Sequence, residues 1–243
     1  MFLAQIYCAE PIALILKLKG IVKVRSENSN KFKPLKTEMT ILNSDEIKLK
    51  RNSFIKVVFL DDGNKLICYQ ESDFKIESKL IKRDLKKKII MEHGLIKIDN
   101  RNEINVELEF ETHYSKINLS KGSFWIESVL DEGDFIYNLN GEVEIYNKKN
   151  KESKELISGE LCNSLKDGQI TTERFHKIDL LKFDQLEINM GEKNVEEDEQ
   201  QSKMNLDSIL TNINEEIILF QLENDKGQRK EIKIKYKNLK LND

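Results

Sequence analysis

The sequence predicts an all-β protein: a jelly-roll-like β-sandwich with a small C-terminal extension that contains a β-hairpin. Three observations lead to this fold class. Between Ile12 and about Ile170, apolar and polar residues alternate with period two far more often than they recur at the helical period. Turn-forming residues interrupt the alternation at short intervals. No long amphipathic segment separates these runs, as the helices of an α/β fold would.

The first strand is predicted where Leu14, Leu16 and Leu18 alternate with their neighbours. Gly20 then interrupts the run before a second apolar run begins at Ile21. A glycine at such a point favours a bend or bulge between two strand halves. A polar loop at 26–31 follows, and we expect it to lie at the surface.

Two dipeptides predict tight β-hairpin turns. Asp62-Gly63 separates the apolar run 54–60 from the run 65–69, and Asn140-Gly141 precedes the alternating run 142–146. Both pairs adopt positive φ at little cost, as two-residue hairpin turns require. We therefore expect a chain reversal at each dipeptide.

Three segments are less clear in the sequence. The lysine-rich stretch 78–88 fits either one helical turn or a polar strand. Residues 89–98, centred on His93-Gly94, predict a bent pair of strands. Residues 175–190 have apolar positions with mixed spacing, so that no secondary structure is predicted for them.

The predicted organisation has four parts: residues 1–11 as a candidate remnant of an export signal, 12–170 as the β-domain, 171–203 as a polar and acidic connecting segment, and 204–243 as the hairpin extension. In the extension, apolar runs at 217–222 and 232–236 flank a turn at 225–228. An isolated hairpin is marginally stable, so it is expected to dock on the main domain or on a partner.

The N-terminus leaves the compartment open. Residues 1–9, followed by Glu10-Pro11, read like the last part of an export signal cleaved near Ala9. The stretch lacks a basic first region and a full apolar core, and Tyr7 is a poor residue three positions before a cleavage site. From these residues alone, export and a frayed cytosolic terminus are equally favoured.

Composition argues against several classes of partner. The 243 residues include 40 Lys and Arg against 43 Asp and Glu, a formal net charge of −3, so no global field attracts nucleic acid or an anionic membrane. Lys82-Arg83 and Lys86-Lys87-Lys88 form the one basic cluster of the sequence, without interleaved aromatic residues. This cluster favours a solvated face or a protected edge strand. No stretch approaches the roughly 20 apolar residues of a membrane helix.

The sequence gives no pattern for a metal site, a cofactor site or a catalytic site. Each imidazole stands alone, without a second ligand at metal spacing: His93, His113 and His176. The cysteines are odd in number and far apart: Cys8, Cys68 and Cys162. Cys68 and Cys162 are interpreted as small strand residues. Phosphate-binding loops, dinucleotide fingerprints and nucleophile elbows are missing from the sequence.

Four blocks of the chain, taken in order, resemble the FecR-domain family of periplasmic regulators. They are the run 20–24 with 32–35 and 41–47, the hairpin 52–66, the run 89–98 with 110–112 and 121–127, and the run 139–145 with 156–160. The hairpin, which contains Phe59-Leu60-Asp61-Asp62-Gly63, is the best match to the family pattern. Asn43-Ser44 stand where the family has a glycine, and His113 replaces its proline. The resemblance covers about residues 18–168.

The resemblance implies a jelly-roll-like sandwich, in agreement with the strand pattern. It implies a non-enzymatic, exported module of the periplasm or cell envelope that recognises a protein or another ligand, in a role such as signal sensing. The sequence shows neither the helical anti-sigma segment nor the membrane helix of the full regulators. Export of this chain becomes the favoured reading of residues 1–9 on this basis.

Three rival functions remain open in the sequence. The first is a carbohydrate or peptidoglycan binder with exposed aromatics such as Trp125 or Tyr137, although strand aromatics usually fill a core. The second is an enzyme on the same fold. The third is a structural envelope subunit that assembles through the C-terminal hairpin. The partner is expected to be an envelope protein or a glycan, and its binding residues and the oligomeric state stay unassigned. The loops 26–31 and 147–154 are candidates for partner contact if they are exposed.

Overall fold

The computed structural model describes residues 11–81, 84–100, 108–189, 191, 215–223 and 229–237. In these ranges the chain is almost entirely β-structure, which confirms the predicted fold class. The elements in chain order are β1 (Pro11–Lys19), β2 (Val22–Arg25), β3 (Lys33–Pro34), β4 (Thr40–Leu42), β5 (Glu46–Leu49), β6 (Phe54–Phe59), β7 (Lys65–Cys68), β8 (Asp73–Ile81), β9 (Asp84–Asn100), β10 (Leu108–Glu111), β11 (Ser115–Val129), β12 (Gly133–Asn147), β13 (Ser153–Leu156), β14 (Glu160–Leu165), β15 (Ile170–Arg174), α1 (Lys177–Asn189), β16 (Glu215–Glu223) and β17 (Arg229–Lys237).

Strands β1 to β15 belong to one continuous sheet. Its main path is β15-β14-β12-β11-β10-β9-β7-β6-β1-β4, a branch β3-β2-β5-β8 joins it at β9, and β13 pairs with β12. Among the described strands, β9 and β10 are parallel and the remaining pairs are antiparallel. Consecutive strands such as β6 and β7 or β11 and β12 pair as hairpins, whereas pairs such as β1-β6 and β5-β8 join strands that are not consecutive in the chain.

Long strands let the sheet fold over its own core. The first half of β9 pairs with β8, whereas its second half pairs with β7 and β11. In the same way, β12 pairs with β14 through its first half and with β13 through its second half. Buried apolar side chains from the branch and from the main path of the sheet form one cluster, which includes Ile47, Phe74, Val57 and Phe124. The branch and the main path therefore enclose a single core, as the layers of a sandwich do.

The predicted hairpin turn at Asn140-Gly141 is wrong, because both residues lie inside β12. The chain reversal between β11 and β12 lies at residues 130–132, where Asp131 has φ 67°. Gly141 instead faces Gly122 across the ribbon of β11 and β12, where the register shifts. At φ 117°, a Cβ on Gly141 would lie 2.2 Å from the carbonyl oxygen of Lys121. The freedom of glycine is used here for a bend within two long strands.

The hairpin turn predicted at Asp62-Gly63 is confirmed. Gly63 has φ 70°, and its N–H donates to the carbonyl oxygen of Phe59 at 3.0 Å. The amide of Asn64 donates to the Asp62 carboxylate at 2.9 Å, so the turn is closed by its own side chains.

The lysine-rich stretch 78–88 is strand on both sides of residues 82–83, which lie outside the described residues. Residues 89–98 form part of one strand, β9, and not the expected pair.

Helix α1 occupies the segment for which the sequence predicted no structure. The amide of His176 donates to the Asp179 carboxylate at 2.6 Å, which caps the first turn. The N–H of Gly191, at φ 69°, donates to the carbonyl oxygen of Ile188 near the C-terminus. Phe183 and Glu187 are the buried residues of the helix, whereas Ile178 is 68% exposed. Because apolar residues occupy exposed positions, no amphipathic stripe is visible in the sequence.

The chain divides into two compact units, residues 1–180 and 181–243. In the second unit, β16 and β17 form nine antiparallel pairs from Glu215–Lys237 to Glu223–Arg229, which confirms the C-terminal hairpin. The expected export signal at residues 1–9, the acidic run at 192–203 and the hairpin turn at 225–228 lie outside the described residues. The boundaries at residues 170 and 203 stay predictions.

Candidate functional site

Four turns gather at one end of the sandwich. They connect β10 to β11 (residues 112–114), β11 to β12 (130–132), β12 to β13 (148–152) and β14 to β15 (166–169). Functional residues are concentrated on loops that a rigid scaffold positions. We refer to this group of turns as the four-turn end, and it is the candidate functional site.

Backbone hydrogen bonds fasten the four turns to one another. The N–H of Lys148 donates to the carbonyl oxygen of Tyr114 at 2.8 Å, and the N–H of Lys166 donates to that of Glu132 at 2.8 Å. The Tyr114 hydroxyl accepts from the N–H of Asp131 at 2.8 Å. These bonds tie each turn to a neighbour, so the turns form one surface with a defined shape.

A buried polar network supports the turns from below. The Thr112 hydroxyl donates to the Asp134 carboxylate at 2.6 Å and accepts the N–H of Ser115 at 2.9 Å. The Ser115 hydroxyl donates to that of Ser164 at 2.8 Å, and the Asn147 amide donates to the same Ser164 oxygen at 2.9 Å. These groups are almost fully enclosed by protein, where hydrogen bonds are strong, and within the described residues the second oxygen of Asp134, Oδ1, has no hydrogen-bond partner.

Asp134 is the charged member of this network and is fully buried. Burial raises the pKa of Asp134, and the hydroxyls of Ser115, Thr112 and Ser128 partly oppose the shift. The sequence carries no signal for Asp134, because Gly133-Asp134 resembles an ordinary turn. It does carry a signal for Ser115, since Ser115, Ile117 and Leu119 alternate onto the buried face of β11.

A cavity of about 240 Å³ opens between the turns. Its lining consists of His113, Tyr114, Asn147, Lys148, Lys149, Leu165 and Lys166. The Asn147 carboxamide is used internally, since its oxygen accepts the N–H of Lys149 at 2.9 Å. The side chains that remain for a ligand are therefore mainly cationic.

Two of the lining lysines are held by acids that do not line the cavity. Lys148 donates to Glu111 at 2.7 Å and to the carbonyl oxygen of Thr112 at 2.6 Å. Partial burial disfavours the charge of Glu111, but the ammonium groups of Lys148 and Lys88 outweigh it and lower its pKa to about 2. Lys166 donates to Asp131 at 2.6 Å, which raises the pKa of Lys166 and lowers that of Asp131.

The histidines and cysteines that the sequence singled out lie apart from one another. His113 is exposed in the first turn of the four-turn end, His93 is a half-exposed strand residue, and His176 precedes α1. Cys68 and Cys162 are buried in β7 and β14, as expected of small strand residues. Burial raises the pKa of the Cys162 thiol to about 12. Across the described ranges, no three His, Cys, Asp or Glu side chains are grouped so as to hold a metal ion.

The rival hypothesis of a glycan binder that uses Trp125 or Tyr137 as an exposed platform is not supported, because both side chains are buried. Trp125 is 3% exposed and Tyr137 is 7% exposed. The ring of Trp125 lies 5.2 Å from that of Tyr69, and the Lys97 ammonium lies 5.4 Å from its centre. Tyr137 contacts Phe175 in a similar tilted geometry. Both aromatics therefore act in packing, which is the role that strand aromatics usually have.

The basic cluster is not a continuous patch either. Lys87 is 2% exposed and donates to Asp61 at 2.9 Å and to Asp62. Lys88 pairs with Glu109 at 3.1 Å and with Glu111. The charges of Lys87 and Lys88 are thus compensated within the protein, whereas Lys86 is exposed and Lys82 and Arg83 lie outside the described residues.

The two loops suggested for partner contact are exposed over most of their length. Residues 26–28 and 149–155 are exposed, and the second of these loops belongs to the four-turn end. Within the described residues, no helix is long and apolar enough to cross a membrane.

Comparisons with known proteins give few relatives. No family model matches the chain, and no curated protein matches it. A crystal structure of a candidate anti-sigma factor from Parabacteroides distasonis ATCC 8503, at 2.50 Å resolution, is 17% identical with a TM-score of 0.45 over 53% of this chain. This chain covers 59% of that protein, less than two thirds of its length. A second crystal structure described in the same words, at 1.65 Å, is 14% identical with a TM-score of 0.49, over 80% of this chain and 99% of the other. Likenesses this distant do not determine what this chain does.

Proposed function

We propose that this protein is a non-enzymatic recognition module of the FecR type, exported to the cell envelope, that binds a partner protein through the four-turn end. The observation that carries the proposal is the gathering of four turns over a buried polar network. Such an arrangement holds loop side chains in fixed positions, which lowers the entropic cost of binding.

The sequence supports the same proposal independently. The four blocks that resemble the FecR-domain family follow one another within about residues 18–168 and end in the strands that carry the four-turn end. A role in signal sensing is what that resemblance implies. A glycan partner is less well supported, since Trp125 and Tyr137 are buried.

Fractionation of the native host tests the proposal. A C-terminally tagged protein is expected in the envelope fraction, with a mature N-terminus near Glu10 by mass spectrometry and with a defined envelope protein enriched over a tagged control of the same fraction. A protein that stays in the cytosol with an intact Met1 would contradict export. An exported protein that retains no partner after mild crosslinking would contradict recognition of a protein.

A further inference from the structure

The cavity of the four-turn end has a one-sided charge. Its basic lining residues are His113, Lys148, Lys149 and Lys166, and none of the described lining residues is a carboxylate. Other acids of the same turns, Glu132, Glu152 and Asp167, are exposed beside the cavity without lining it. An anionic group that enters the cavity therefore meets cations at short range.

Hydrogen-bond donors remain available on these lysines. An ammonium group has three donors. Lys148 uses two of them, on Glu111 and Thr112, and Lys166 uses one, on Asp131. Lys149 is exposed, and among the described residues no carboxylate pairs with it. The three ammonium groups can thus donate hydrogen bonds to an additional oxygen without breaking their present bonds.

The size of the cavity indicates what kind of molecule carries that oxygen. Sites for whole small molecules usually measure roughly 300 to 1,000 Å³. At about 240 Å³, the cavity fits one or two side chains of a larger partner better than an independent ligand. A carboxylate is the anionic side chain that a protein partner commonly offers.

We infer that the four-turn end binds an acidic peptide segment of its partner protein, with a Glu or Asp carboxylate seated between Lys149, Lys166 and Lys148. This inference rests on the proposed function, because it specifies the chemistry of the partner. Lys149 provides the uncompensated charge, and Lys166 and Lys148 provide directed donors that Asp131 and Glu111 already hold in place.

A defined probe tests the inference. An N-acetylated, fluorescein-labelled tetraglutamate is titrated into the full chain at low salt and followed by anisotropy, with tetraglutamine as the neutral counterpart. Binding is expected for tetraglutamate alone, weakening as salt screens the charges. Lys149→Glu and Lys166→Gln are each expected to lower the affinity about fivefold or more. Lys154→Glu, an exposed charge reversal on β13 outside the cavity lining, is the matched control and is expected to keep the affinity within about twofold.

Several outcomes overturn the inference. No tetraglutamate binding at millimolar concentration would do so, as would equal losses in the cavity variants and the control. Equal affinity for a galacturonate tetramer would show that any carboxylate suffices and that peptide recognition is wrong. Thermal melts check that each variant is folded. If the probe fails but host fractionation finds an exported protein with a crosslinked partner, the inference falls and the proposed function stands.

Discussion

Glu111, the last residue of β10 before the four-turn end, shows how one side chain couples charge to stability. Its pKa of about 2 lies below the ordinary value of 4.5, because Lys148 and Lys88 stabilise the carboxylate. A carboxylate with a lowered folded-state pKa contributes stability that is complete above its unfolded pKa and is lost as the pH falls toward the folded pKa. For Glu111, that window runs from about 4.5 down to about 2.

Glu111→Gln is therefore expected to lower the free energy of unfolding by about 2 kcal/mol at pH 7, and by progressively less as the pH falls below 4.5. Urea unfolding between pH 3 and pH 7 measures the difference. Glu109→Gln is the control, since Glu109 is 41% exposed and, among the described residues, forms an ion pair with Lys88 alone. A loss that is independent of pH, or equal in both variants, would contradict the account of Glu111.

Lys87 is a buried cation whose partners lie in the confirmed hairpin turn. Burial lowers the pKa of Lys87, opposed by its bond to Asp61, and the ammonium lies 4.6 Å from the centre of the Phe59 ring. Removal of one partner from a buried pair leaves an uncompensated charge.

Lys87→Met is expected to cost roughly 3 to 5 kcal/mol of stability, because Asp62 stays buried without its cation. The triple variant with Asp61→Asn and Asp62→Asn is expected to recover most of that loss. Lys88→Met, a neighbouring lysine that is 30% exposed, is expected to cost about 1 kcal/mol. Equal losses for Lys87→Met and Lys88→Met in denaturant titrations would show that the buried ion pairs have no special role.

Trp125 is the single tryptophan of the chain, which makes its burial directly measurable. Its fluorescence is expected to be blue-shifted and weakly quenched by acrylamide in the folded protein, and to become red-shifted and strongly quenched in urea. Envelope polysaccharide is expected to leave the spectrum unchanged. Emission like that of tryptophan in water before unfolding would contradict the packing described for this residue.

At the scale of elements, the pairs Asp62-Gly63 and Asn140-Gly141 have the same local chemistry and different structures. The first pair lies between β6 and β7, which pair with each other, and forms the turn that joins them, whereas the second lies opposite Gly122 in a ribbon that continues on both sides. Local conformational preference cannot distinguish a turn from a bend, because both use positive φ.

Gly141→Ala is expected to destabilise the protein by about 3 kcal/mol, because a Cβ meets the carbonyl oxygen of Lys121 and a positive φ is costly. Gly159→Ala is the matched control: its φ is 87°, but no atom of the described residues lies within 4 Å of the new Cβ. That variant is expected to cost about 1 kcal/mol. Chemical denaturation of both variants measures the difference, and equal costs would show that the close approach at the bend has no energetic effect.

Helix α1 shows a second limit of sequence patterns. Its capping residue Asp179 is visible in the sequence, but Ile178 and Leu181 are exposed while Glu187 is buried. A helix whose apolar residues do not share one face has no periodic signal. The strands were predictable because period-two alternation reports burial directly, as the pattern of β11 shows.

At the scale of the whole molecule, the fold class could be predicted and the candidate site could not. Strand alternation accumulates over the fifteen described strands of the first unit, so individual errors such as Asn140-Gly141 do not change the result. The polar network below the four-turn end joins Thr112, Asp134, Asn147 and Ser164, which are far apart in the sequence. Their common role depends on strand pairing, which no short motif encodes.

The central claim is that the four-turn end binds a protein of the envelope. The most direct test places a photo-crosslinking amino acid at Glu152, which is exposed in the turn between β12 and β13, and at Lys36, which is exposed in the turn between β3 and β4. Crosslinking in the native host, followed by mass spectrometry, is expected to give a single dominant adduct with an envelope protein from Glu152 and none from Lys36. The same adducts from both positions, or an adduct from Lys36 alone, would contradict the claim.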